Sequence, residues 1–200
     1  MKKIIAVLLT AILAVSLAAC GSSGGQSGSN TEDNKENEAA VDIPDAVTLL
    51  TTVWDSYTDD EKFPAIGGDF SEANNKENAP GVYDLSDADA VEVNLGFPAV
   101  QLDAVDGAAS LIHMMNGNTF TCGALRLTDA GKLDEAAKEI RDYIMAKQWM
   151  CGFPDKLIVV SVDNYLISCF GAEDLVNTFR DKLQAAYSGA VVITDEPIVA

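Results

Sequence analysis

From Asp45 onward, Ala46, Leu49, Leu50, Val53, Trp54 and Tyr57 recur at helical spacing and predict a first amphipathic helix. Residues 62–80 interleave Pro, Gly and Asn and read as a long irregular loop carrying Phe63, Ile66 and Phe70. Val91, Val93 and Leu95 alternate with Glu92 and Asn94, the period of a half-buried strand. Leu102, Val105, Ala109, Ile112 and Met115 lie three or four apart and predict a second helix, closed by the turn signal Asn116-Gly117-Asn118. A strand is expected over 119–127.

The strongest helical pattern runs over 132–148, with Leu133, Ala136, Ala137, Ile140, Tyr143 and Ile144 facing inward and Gly152-Phe153-Pro154 ending it. Asp134 and Lys138 are placed for an i,i+4 ion pair on its outer side. Two β-rich runs, 156–162 and 165–170, are separated only by Asp163-Asn164, residue types that tolerate a tight hairpin turn. A last helix is expected over 172–187, with Leu175, Val176, Phe179, Leu183 and Ala186 inside and Gly189 as its cap. A β-rich tail follows at 191–194. This order predicts an α+β fold: a small antiparallel or mixed sheet with helices packed on one face.

The N-terminus has a different pattern. Met1-Lys2-Lys3 precedes an apolar run, Ile4 to Leu17, interrupted only by Thr10 and Ser16. At about 14 residues it matches the apolar segment of a signal peptide and is short of the roughly 20 that span a bilayer. The run ends Leu17-Ala18-Ala19-Cys20-Gly21. These residues resemble the lipobox of bacterial lipoproteins, which implies cleavage after Ala19, lipidation of Cys20 and attachment to the cell membrane through that lipid. Several acyl chains give stable anchoring where one is marginal. Residues 21–38 then hold Gly, Ser, Asn and acids with little to fill a core, and 20–43 is expected to be a disordered tether. Its reach is about 27 Å for roughly 24 flexible residues. Three parts are expected: signal peptide 1–19, lipidated tether 20–43, and a single α+β domain 44–200.

Charge narrows the partners. The chain carries 31 acids against 13 Lys and Arg, a net −18. Loss of residues 1–19 would remove Lys2 and Lys3 and make it more negative still. Such a surface repels phosphates, so no nucleic acid is expected, and anionic headgroups are no better partners.

The stretch from about Tyr83 to Tyr187 resembles an uncharacterised domain found in lipoproteins of Gram-positive gut and soil bacteria. The resemblance rests on the start Tyr83-Asp84-Leu85, a small-residue and Met-rich helix through Met114-Met115, the strand into Leu125, the charged helix ending near Trp149, and the hairpin Asp163-Asn164-Tyr165-Leu166. It implies location and fold and supplies no site residues.

Candidate chemistry is sparse. Beyond Cys20, three cysteines remain, Cys122, Cys151 and Cys169, and none forms a Cys-x-x-Cys pair. Cys122 and Cys169 both fall in predicted strands and are the candidate disulfide; free thiols packing as small apolar groups are the alternative. His113 is the only histidine, and His113-Met114-Met115 offers donors that suit copper(I), though adjacent helix positions diverge. Asp84, Asp87, Asp89 and Glu92 are acidic enough for calcium but lack the glycine and ligand spacing of an EF-hand loop. Phosphate-loop and Ser-x-x-Lys patterns are missing from the chain. No catalytic residue, metal site or cofactor is therefore expected. The favoured function is non-enzymatic binding of an envelope protein or small molecule, with the 62–80 loop as a contact surface. The rivals are a redox or metal-handling accessory protein and an envelope enzyme without a recognisable motif.

Overall fold

The computed structural model describes residues 43–199. The expected signal peptide, the lipidation site Cys20 and the tether as far as residue 42 lie outside the described residues; Ile43, expected as the tether's last residue, instead packs against the core, and its carbonyl accepts the Tyr165 hydroxyl at 3.0 Å. Asp45 starts α1 (Ala46–Asp55) by accepting the Thr48 N–H at 2.7 Å, satisfying a donor that has no partner within the helix. Three short strands follow, β1 (Ala65–Gly67), β2 (Lys76–Glu77) and β3 (Gly81–Val82), then α2 (Ala88–Leu95) and a 3-10 turn at Ala99–Ala104. The remainder is β4 (Val105–His113), β5 (Phe120–Leu127), α3 (Leu133–Ala146), β6 (Lys156–Val162), β7 (Tyr165–Gly171), α4 (Glu173–Ala186) and β8 (Val191–Pro197).

The strands form one antiparallel sheet in the order β2-β1-β4-β5-β7-β6-β8, with β3 also paired to β4. The α+β class is as the residue pattern predicts, but the helices cover both faces of the sheet. Leu49, Leu50, Val53 and Trp54 of α1 and Val176, Phe179 and Leu183 of α4 pack with Leu111, Phe120, Ile158 and Ile167. Val91 and Leu95 of α2 and Ala137, Ile140 and Ile144 of α3 pack with Leu125, Leu157, Val159 and Leu166. Successive strand residues point to opposite faces, so β6 and β7 feed both layers and are apolar at nearly every position. Each large side chain buried there contributes roughly 1.5–3 kcal/mol.

Burial on both faces explains the main departure from the predicted elements. The segment expected as a helix over 102–115 is the 3-10 turn followed by β4. Five consecutive residues of β4, Ala108 to Ile112, are buried. A central strand buried on both sides loses its period of two, and its apolar run then matches helical spacing by coincidence. The opposite exchange occurs at 91–95. A strand would put Val91, Val93 and Leu95 on one face, whereas α2 buries Val91 and Leu95 completely and leaves Val93 57% exposed. Asp87 caps α2 through Ala90 N–H at 3.0 Å, and Gly96 closes it in the left-handed conformation.

Part of the expected 62–80 loop is ordered as β1 and β2. Gly67 and Gly81 let two backbones meet there, since a Cβ on Gly67 would lie 2.2 Å from the Gly81 nitrogen. Three smaller expectations also change. Lys138 pairs with Asp142 rather than Asp134. The chain leaves α4 through an extended Tyr187, so Gly189 is not its cap. In the β6–β7 turn only Asp163 takes a positive φ, 50°. Among the described residues no helix is long and apolar enough to cross a membrane.

Candidate functional site

Two concavities lie at opposite ends of β4 and β5. The larger, about 700 Å³, lies between the start of α1 and the ends of β3, β4 and β5. Its one cation, Arg126, is already engaged: Nε meets Asp106 Oδ1 at 2.6 Å and Nη1 donates to the Pro44 carbonyl at 3.1 Å. Its Asp45 is spent capping α1.

The smaller cleft, about 290 Å³, lies at the other end of β4 and β5 and differs in kind. Ile66, Ile112, Thr121 and Phe170 come from the sheet, Val93 and Asn94 from α2, and Lys147 from the residue that ends α3. Thr121 and Phe170 are direct cross-strand partners, so the β5–β7 register sets that part of the wall. Lys147 is half-buried. Its Nζ donates to the Val93 carbonyl at 2.6 Å and lies 5.1 Å from the Trp149 ring centre, 5.9 Å from Phe170 and 6.0 Å from Tyr143. These distances are within cation–π range. Burial pulls its ammonium below the usual lysine range.

Among the described residues Lys147 has no carboxylate partner. The other half-buried cations among the described residues, Arg126, Arg141, Lys156, Arg180 and Lys182, each hold one. In a chain with 31 acids, a half-buried ammonium without an acid is chemically specific, because a desolvated charge is costly unless compensated. Four apolar residues of the lining, Phe70, Val93, Met114 and Met115, are 51%, 57%, 42% and 80% exposed, and they stand beside the polar Asn94, His113, Asn116 and Asn118. Residues 150–152 are tied beside the cleft, where Asn118 Nδ2 donates to the Met150 carbonyl at 2.8 Å and Asn116 Nδ2 to the Cys151 carbonyl at 3.0 Å. Phe70 holds φ at 66°, an uncommon conformation for a bulky residue, and presents its ring to solvent. The arrangement suits an anion beneath an apolar body. Nothing in it supplies a nucleophile paired with a base.

The residues singled out from sequence fall as follows. Of the expected contact loop, Phe63 stacks into the core against Trp54 and Phe120, Ile66 lines the cleft and Phe70 stands at its mouth. His113 ends a strand rather than lying within a helix; it stacks on Phe63 at 5.5 Å, and its Nδ1 accepts the Met115 N–H at 3.3 Å. The acids at 84–92 serve local structure: Asp84 accepts Ser86 N–H, Asp87 caps α2, and Glu92 accepts Ala99 N–H. Among the described residues no group of three His, Cys, Asp or Glu side chains converges in a metal-holding geometry. Cys122 and Cys169, free thiols here, are opposite one another on β5 and β7, while Cys151 is exposed. Lys147, Trp149 and Phe170 escaped the sequence reading. A lysine in the last turn of a helix ordinarily complements the helix dipole, and its lack of an acid becomes visible only in three dimensions.

No family model matches this chain, and no curated protein or solved structure matches it either.

Proposed function

We propose that this chain is a lipid-anchored extracytoplasmic binding protein without catalytic activity, and that its ligand is a small organic anion with an apolar body. The observation that carries the reading is Lys147, a half-buried ammonium with no carboxylate partner among the described residues, set over three aromatic rings beside the exposed Phe70, Met114 and Met115. A carboxylate or phosphate would complete its charge, and Met and Phe side chains would cover the rest of the ligand. The cleft volume is near the lower end of ligand pockets, about 300–1,000 Å³, so a small molecule fits better than a peptide. The lipobox-like residues 17–21 support the location.

The test is calorimetric titration of the domain with matched pairs of acid and amine, such as indole acetate against tryptamine and octanoate against octylamine. Anions should bind, amines should not, and Lys147→Met should abolish the difference. Equal binding of acid and amine, or binding of neither, would sink the reading.

A further inference from the structure

We infer that Cys122 and Cys169 close a cross-strand disulfide in the exported protein. The inference rests on the extracytoplasmic location proposed above, because disulfides form and persist in oxidising compartments.

Register carries the geometry. Cys122 is the direct partner of Cys169 in the β5–β7 ladder. Near one end of that ladder Leu127 N–H donates to the Asn164 carbonyl; near the other, Ala172 N–H donates to the Thr119 carbonyl. Antiparallel rungs alternate between hydrogen-bonded and non-hydrogen-bonded pairs. Counting inward from either end puts Cys122 and Cys169 on a non-hydrogen-bonded rung. Cα atoms on such a rung are about 4.5 Å apart, inside the roughly 4.4–6.8 Å that a disulfide spans. Both side chains point into the α1–α4 layer and are fully buried. Bonding them keeps the strand register as it is.

Both thiols are fully buried, and burial pushes Cys169 up, so the pair is closed to an oxidant once the core has formed. Oxidation therefore belongs to the folding chain. One thiolate attacks the S–S bond of an extracytoplasmic disulfide oxidant and forms a mixed disulfide, releasing one oxidant thiolate. The second cysteine, as its thiolate, attacks the protein sulfur of that mixed disulfide and releases the other. One S–S bond forms in the protein, one is lost in the oxidant, and two electrons and two protons pass to the oxidant. Closure of the core then shields the new bond. The rung adjoins Thr121 and Phe170, so the staple joins the two strands directly behind the Lys147 cleft.

The experiment is mass spectrometry of the full chain extracted in mild detergent from its host's membranes. The sample is acid-quenched, then alkylated under denaturing conditions without reductant. The expected result is an acylated Cys20, one alkylated thiol at Cys151, and a digest peptide joining Cys122 to Cys169 that is two hydrogens lighter than its reduced parts. Cys151→Ser should leave that peptide in place. Three alkylated thiols in an acylated chain, or a bond from Cys151 to either partner, would overturn the disulfide alone. An uncleaved, unacylated chain would overturn the location and the disulfide together.

Discussion

Arg141 of α3 and Glu196 of β8 form a two-point ion pair, Nε to Oε1 and Nη2 to Oε2, the latter at 3.0 Å. From the opposite face Arg180 of α4 reaches Asp195 at 2.5 Å, and Lys156 of β6 meets the same carboxylate at 2.6 Å. The last strand of an open sheet is thus held from both sides by charge, which matters because its side chains are mostly exposed or half-buried. Charged groups on an edge strand also discourage pairing with another chain.

Removing these contacts should loosen β8 before the rest of the domain. Arg180→Ala is expected to cost about 1 kcal/mol and Arg141→Ala less, since the Arg141 side chain is 41% exposed and solvent screens it. Hydrogen exchange is the appropriate readout. The double variant should speed exchange across β8 and leave β4 and β5 protected; uniform acceleration would show that β8 has no separate opening.

Acid should weaken the fold through two named carboxylates. Burial alone would raise Asp69, but hydrogen bonds from Ser71, Asn74 and Asp84 outweigh it and hold the group at about 2. A hydrogen bond from Lys182, with help from Thr58, holds Glu61 at about 2. Both folded values are below the ordinary 3.8 and 4.5, so their stabilisation is complete above those values and lost as pH falls toward 2. Thermal melts at pH 7, 4, 3 and 2 should show the midpoint dropping mainly over the last two steps. Asp69→Asn should flatten that drop.

Gly96 tests why α2 is a helix. Its φ of 71° disfavours other residues, and a Cβ there would lie 2.7 Å from Ile144 Cγ1. Gly96→Ala is expected to cost about 1–3 kcal/mol. Asn tolerates that φ but adds the same Cβ, so Gly96→Asn should be nearly as damaging in urea denaturation. Full rescue by Asn would mean that conformation alone matters and the contact with Ile144 does not.

Lys147 should trade stability against binding. With its folded value below 10.5, the unfolded chain holds more protons between the two values, so stability rises with pH across that window. Lys147→Met keeps the apolar stem and removes the desolvated charge. Its melting temperature should equal or exceed that of the parent, while affinity for the organic anion falls more than about tenfold, the loss of one charge-assisted hydrogen bond. In the parent, the same affinity should decline at a lower alkaline pH than an exposed lysine would give.

Local pattern carried part of the fold by itself. Helices α1, α3 and α4 each bury one stripe against the sheet, and the β6–β7 hairpin has its turn residues between two β-rich runs, so neighbouring residues alone specify them. The lipobox-like segment likewise is a reading of consecutive residues.

Tertiary structure decided the rest. Periodicity reports burial on one face, and β4 is buried on two, so its sequence could not distinguish strand from helix until β1, β3 and β5 flanked it. For α2 the deciding contacts are with β5 and α3, a stretch away in the chain, and they select i,i+4 burial of Val91 and Leu95 over alternation. The Lys147 cleft is of the same kind. Its ammonium, rings and lining come from residues 66 to 170, and an acid missing from beside a lysine is a fact about space, which no run of neighbouring residues records.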